Sequence, residues 1–252
     1  MTKLSLPDRE LAYQQRSASQ ENKVKPGVIF LGGFASDMNG SKAAFLDEKC
    51  AAAGLSYLRF DYRGHGASSG DLEEGCIGDW FEDAQFIFDR LTTGPQIIVG
   101  SSMGGWIGLL LARARPERLA AYIGVAAAPD FTHDIVLPVL TAAQKDELER
   151  NGKLYELVSP PDHREVLTKK LLEEGGDHLL LRAPLQIDAP VRLLQGMKDD
   201  QVPWKTALKI TEVLTTNDVR ATFVKDGDHR LSRPDDLDLL WHAVQSVLTP
   251  NA

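Results

Sequence analysis

Two serines stand in a Gly-x-Ser-x-Gly frame, Ser102 in GSSMG (100–104) and Ser68 in GASSG (66–70). That frame suits a nucleophile, because the glycines permit a tight, strained turn that lifts the serine hydroxyl clear of its surroundings. Three fixed positions alone do not choose between the two, so the flanking residues must. Ser102 follows the apolar run QIIV (96–99) and precedes WIGLLLARARPERL, a strong helix former. Strand, turn and helix in that order is the setting a nucleophile elbow requires. Ser68 lies between the polar segments DYRGHG and DLEEG, so GASSG reads as a flexible loop, and His65 as a surface or loop histidine. Ser101 is out of frame, since its flanking positions are Val99 and Met103. Ser102 is therefore the candidate nucleophile.

A lone serine is a poor nucleophile and needs a base, itself oriented by an acid. Six histidines compete: His65, His133, His163, His178, His229 and His242. Only His229 directly follows a late apolar run, in VRATFVKDGDHR, where a loop at the carboxyl end of a sheet would bring it beside the elbow. For the acid, LLQGMKDDQVPW places Asp199 and Asp200 after the preceding strand, with Asp226 and Asp228 as further candidates. The order serine, aspartate, histidine is the one this architecture calls for.

In such a set His229 takes the Ser102 proton during attack on an acyl carbon and returns it to the leaving group. The aspartate fixes the imidazole tautomer and stabilises the imidazolium. The oxyanion needs two amide donors. Met103, at the start of the helix, supplies one; Phe34 in LGGFASDMNG supplies the other, with Gly33 allowing the close approach.

The elements that must carry these residues are legible as alternating patterns. Apolar runs at 27–31, 55–60, 96–99, 121–126, 191–195 and 219–224 read as strands covered on both faces, as in a parallel sheet. Between them, Ile77, Trp80, Phe81, Ala84, Phe88 and Leu91 form a helical stripe, and Leu237, Leu240, Trp241, Val244 and Leu248 form another. The expected fold is α/β, one domain built on a doubly wound, mostly parallel sheet. The alternation breaks once, and a helical lid insertion is expected at about residues 130–189. Thr141 with Gln144 forms a capping box and Asn151-Gly152 a stop signal, while HREVLTKKLLEEGG reads as a second helix. Leu137, Leu140, Leu154, Val166, Leu171, Leu179 and Leu181 are the candidates to line an apolar pocket beneath it.

The 252 residues carry 28 Lys and Arg against 36 Asp and Glu, a formal charge of −8. That balance argues against a nucleic-acid binder, which needs a basic surface. No apolar run is long enough to span a membrane. Cys50 and Cys76, with no CxxC, suggest neither a disulfide framework nor a metal site. The first residues, MTKLSLPDRE, lack the pattern of a secretion signal and mix acids with bases, so a cytoplasmic protein is expected.

With these residues in place, GVIFLGGFASDMNG, RFDYRGHGASSG, VGSSMGGW, VRLLQGMKDDQVPW and DGDHR together resemble the serine esterases of the α/β-hydrolase superfamily along nearly the whole chain. GMKDDQVP is similar to that family's Gly-x-x-Asp-x-x-Val-Pro acid loop, which puts the acid on Asp199 rather than Asp200. Where the family's oxyanion loop usually has His-Gly, this chain has Leu31-Gly32-Gly33. More narrowly, MNGSKA, LRFDY, GPQIIVGSSMGGW and GMKDDQVPW resemble the mitochondrial palmitoyl-protein thioesterases that also cleave acyl glucuronides, and their bacterial relatives. The resemblance implies a hydrolase of small-molecule or protein-linked acyl esters and thioesters, working without cofactor or metal. Two other readings use the same fold: a lidded aminopeptidase recruiting Glu147 or Glu149 to hold a substrate amine, and a non-catalytic receptor.

Overall fold

The computed structural model describes residues 2–158 and 163–248. Its centre is an eight-stranded sheet. Strands β1 (Thr2–Ser5), β2 (Glu10–Arg16), β3 (Gly27–Leu31), β4 (Tyr57–Phe60), β5 (Gln96–Ser101) and β6 (Leu119–Val125) come before the insertion. It contains β7 (Lys153–Val158) and β8 (His163–Thr168), and β9 (Val191–Gly196) and β10 (Val219–Val224) follow it. The sheet runs β1-β2-β4-β3-β5-β6-β9-β10. From β4 to β10 every pairing is parallel, while β1 and β2 add an antiparallel edge.

Period-two alternation sorts the strand residues between two apolar layers. On β3, Ile29 and Leu31 face one layer and Val28 and Phe30 the other; on β5, Ile98 opposes Ile97 and Val99. The first layer is completed by α2 (Ile77–Leu91), α3 (Met103–Ala114) and α6 (Lys205–Val213). The second is completed by α1 (Ser41–Ala52) and α7 (Pro234–Leu248). Trp80 and Phe88 of the expected stripe are wholly buried. Cys50 and Cys76 are buried too, and burial pushes each thiol up to about 12.

The chain reverses its direction across the sheet at β3, which lies between β4 and β5. The crevice outside the carboxyl ends at such a switch point is where open α/β sheets bind ligands. The loops after β3, β5, β9 and β10 all open on that end, and they carry Phe34, Ser102, Asp199 and His229.

The insertion between β6 and β9 is mixed rather than helical. Helix α4 (Ala142–Asn151) has the expected capping box at Thr141 and Gln144, and ends at left-handed Gly152. The second expected helix divides. Its first half is β8, paired antiparallel with β7, and only α5 (Lys169–Glu174) is helical. The lysines and leucines of KKLLEE do form that helix, while HREVLT, with β-branched Val166 and Thr168, takes the cross-strand pairing supplied from 153–158. The insertion docks on α2, where both oxygens of Glu174 accept from the Gly78 amide, and on α3, where Trp106 Nε1 donates to the His178 carbonyl.

One buried carboxylate closes the insertion on itself. Asp130 sits at φ 59° with its side chain fully buried, and accepts from the amides of Leu180 (2.8 Å) and Leu181 (2.9 Å). Asp130→Ala is expected to leave both amides unsatisfied and to cost about 2–4 kcal/mol in a urea titration. Asp130→Asn keeps one acceptor oxygen and should lose about half of that.

Candidate active site

Ser102 occupies the sharp turn from β5 into α3 at φ 53°, ψ −122°, a region that L-residues avoid. Three backbone bonds hold it there. Its amide donates to Val125 O (3.0 Å), and its carbonyl accepts from Gly105 (2.8 Å) and Ala128 (3.0 Å). The flanking glycines are required by close backbone approach. A Cβ on Gly100 would lie 2.3 Å from Gly104 O, and one on Gly104 would lie 2.1 Å from Leu31 O. The elbow can therefore nest against the end of β3 only without side chains at these two positions.

His229, in the loop after β10, and Asp199, in the loop after β9, come together with Ser102. His229 Nδ1 is 2.9 Å from Asp199 Oδ2, and His229 Nε2 is 3.0 Å from Ser102 Oγ. A carboxylate only accepts, so Nδ1 carries the proton, and Nε2 is left to accept from the Ser102 hydroxyl. The Asp199 side chain is fully buried. Burial alone would raise its pKa, but the bond and charge of His229 and the amides of Val202 and Gln201 outweigh this and lower it. Gln195 Nε2 adds a further donor to Asp199 Oδ2 at 3.0 Å. The sequence reading passed over Gln195; its signal was a polar side chain near the carboxyl end of β9, four residues before Asp199.

The other candidates lie elsewhere. Asp200 is exposed at the cavity rim, Asp226 pairs with Arg233, and Asp228 accepts from the Leu231 amide. His178 pairs with Glu174, His133 meets Thr132 Oγ1, and His242 is exposed on α7. The side chain of His163 lies outside the described residues. Ser68 is a structural link, accepting from the Ala12 amide and donating to Asp61 O. His65 departs from expectation: it is a loop residue, but only 3% exposed, walled by Phe34, Tyr62 and Trp80.

Phe34 and Met103 flank the serine. Phe34 lines the cavity beside Gly33, where a Cβ would lie 3.4 Å from Ser102 Cβ, and Met103 heads α3. Among the described residues neither amide donates to another turn, loop or side-chain acceptor. Two N–H groups beside the hydroxyl, one at a helix N-terminus, can receive a developing oxyanion.

These residues form the floor of a cavity of about 600 Å³. One side is apolar, lined from the insertion by Phe131, Ile135, Val136, Val139, Leu140 and Leu167. Of the seven leucines and valines picked from the sequence, only Leu140 lines it. Leu154, Val166 and Leu171 are buried, and Leu137, Leu179 and Leu181 pack on the core. The other side is polar and includes Lys42, whose ammonium donates to Arg230 O (2.5 Å) and steadies the loop after His229. Burial, only partly offset by Asp228, pushes Lys42 down to about 8. Glu147 and Glu149 do not line the cavity, and Glu149 pairs with Lys169, so the aminopeptidase reading loses its amine-binding groups.

Comparison with known proteins agrees with this architecture. Residues 26–148 match a model of the alpha/beta hydrolase fold. The chain is 39% identical over 250 residues to human palmitoyl-protein thioesterase ABHD10, mitochondrial, covering 97% of this chain and 79% of that protein. Among solved structures, a protein from Agrobacterium vitis S4 described as a hydrolase superposes with a TM-score of 0.92 at 38% identity, covering 99% of this chain and 97% of the other. Alpha/beta hydrolase domain-containing protein 10 from mouse superposes at 0.88 and 36% identity, with 98% and 97% covered. These relatives also correct the expectation of a cytoplasmic protein. The human and bovine proteins are both named mitochondrial, and a mixed-charge acidic surface suits any aqueous compartment. No helix among the described residues is long and apolar enough to cross a membrane. By sheet order, elbow and identity over nearly its whole length, the chain belongs to the α/β-hydrolase family.

Proposed function

We propose that this protein hydrolyses carboxylic esters and acyl thioesters through an acyl-enzyme formed on Ser102. The observation that carries the reading is the continuous hydrogen-bonded chain from buried Asp199 through His229 to Ser102 Oγ, at 2.9 and 3.0 Å, opening on one cavity. As Ser102 Oγ attacks the acyl carbon, its proton passes to His229 Nε2, and Asp199 stabilises the resulting imidazolium. The amides of Phe34 and Met103 receive the oxyanion. His229 then protonates the departing alkoxide or thiolate, which leaves the acyl group on Ser102. Water, deprotonated by His229, attacks that ester in turn and releases the acid.

The two-sided cavity supports a division of labour. The acyl chain lies under the insertion, acting as a lid, against Phe131, Val136 and Leu167, and the leaving group faces the polar side near Lys42. Relatives named palmitoyl-protein thioesterases favour a long acyl chain on sulfur. The test is kcat/KM over matched oxygen esters and thioesters from acetyl to palmitoyl, with Ser102→Ala as blank. Values that climb with chain length, more steeply for thioesters, and vanish in the variant are expected. Preference for short activated oxygen esters would point to a general carboxylesterase, and no turnover above the blank would remove the hydrolase reading.

A further inference from the structure

The oxyanion loop is built from unfavourable backbone, and something must hold it. Ala35, directly after Phe34, sits at φ 53°, in the left-handed region that non-glycine residues rarely adopt. The loop 32–40 is tied down from Arg59 on β4 and from the segment after it, the DYRGHG stretch that the catalytic scheme leaves unused. Asp61 Oδ1 accepts from the Met38 amide at 2.6 Å, and Arg59 Nη1 donates to Met38 O at 2.9 Å. Those bonds land several residues beyond Phe34. The bond that lands next to it comes from His65, whose Nε2 accepts from the Ala35 amide at 3.2 Å.

Several features fit His65 to this single task. Its Nδ1 lies 3.1 Å from the Arg63 carbonyl, which only accepts, so Nδ1 carries the proton and Nε2 presents a lone pair to Ala35. Trp80 Nε1 donates to the same carbonyl at 3.1 Å, joining α2 to the arrangement. Phe34, Tyr62 and Trp80 pack edge-on around the ring, with centroids 6.3, 5.6 and 5.2 Å away. Burial lowers the imidazole pKa and keeps the ring neutral.

We infer that His65 is a positioning residue for the oxyanion donor: by accepting from Ala35 it aims the adjacent Phe34 amide at the carbonyl oxygen attacked by Ser102. The inference rests on the ester-hydrolase reading above. It assigns His65 no contact with substrate and no proton transfer.

Two substitutions separate this role from bulk packing. His65→Phe keeps an aromatic ring but removes the acceptor; His65→Gln restores an acceptor oxygen. Each is assayed on nitrophenyl esters, with rates normalised to sites titrated by a fluorophosphonate, and against a trifluoromethyl ketone, whose adduct with Ser102 carries an oxyanion. His65→Phe is expected to lower kcat by about tenfold to a hundredfold with KM changed less than about threefold. It should weaken the ketone by a similar factor, and His65→Gln should recover most of both losses. Hydrogen exchange at the Ala35 amide should accelerate in His65→Phe and slow again in His65→Gln. Should His65→Phe not fold, His65→Leu carries the same expectation. An unchanged kcat per titrated site in the acceptor-free variant, or no recovery in His65→Gln, overturns the inference. Failure of the hydrolase reading is a separate result, because it shows as a wild-type protein no faster than Ser102→Ala.

Discussion

Ser102→Ala is expected to fold as the wild type does and to lose about 10⁴-fold or more in kcat, by analogy with other triads. The substitution removes one oxygen. The elbow is held by backbone bonds to Val125, Gly105 and Ala128, and none of these involves the hydroxyl. Alanine must adopt the same φ of 53°, so the backbone strain is neither relieved nor increased. The variant should therefore match the wild type in thermal melting while failing to react with a fluorophosphonate. Retention of more than a few per cent of turnover would mean that the acyl group is attacked by something other than Ser102, and the proposed acyl-enzyme would fall.

Asp199→Asn should cost nearly as much, about 10³- to 10⁴-fold, while Asp200→Asn should stay within a few-fold of wild type. The local hydrogen bonds say why. The amides of Gln201 and Val202 both donate to Asp199 Oδ1, at 2.9 and 2.8 Å. In asparagine the single carbonyl oxygen must take that position, because an NH₂ there would face two donors. The NH₂ group is then turned toward His229 Nδ1 and Gln195 Nε2. His229 can meet it only by accepting at Nδ1, which moves the ring proton to Nε2 and leaves no lone pair for the Ser102 proton. The loss should appear in kcat/KM under steady-state conditions near neutral pH. A damaging Asp200→Asn with a mild Asp199→Asn would reassign the acid. Among the described residues Asp200 has no such network, and it lies exposed at the rim.

Much of the molecule could be read before it was seen, and the reason is local. The central strands are short apolar runs with turn residues at their ends, and α2 and α7 bury stripes whose spacing is set by the helix itself. The elbow is equally local, because Gly100, Ser102 and Gly104 fall within five residues, between a strand and a helix. Ser102 and His229 were picked from their places after strands, Asp199 was preferred to Asp200 through the resemblance of GMKDDQVP to the family's acid loop, and chain order in a parallel sheet brings those loops to one end.

What escaped the sequence depends on contacts between distant segments. Strands β1 and β2 form an edge of mostly polar, partly exposed residues, which have no continuous apolar run to betray them. Residues 163–168 run straight into the helix-forming KKLLEE, yet pair with 153–158, a partner that no spacing rule names. The cavity wall followed the path of the insertion, so Phe131 and Leu167 line it while Leu154 and Leu171 fill the core. His65 is the sharpest case. Set between glycines in a polar loop it has every mark of a surface residue, and only the arrival of Phe34 and Trp80 from other parts of the chain buries it. Residue types and short-range spacing determined which groups could react and which strands would carry them. Long-range packing alone decided what surrounds those groups, because burial and hydrogen-bond partners belong to pairs of segments and not to either segment by itself.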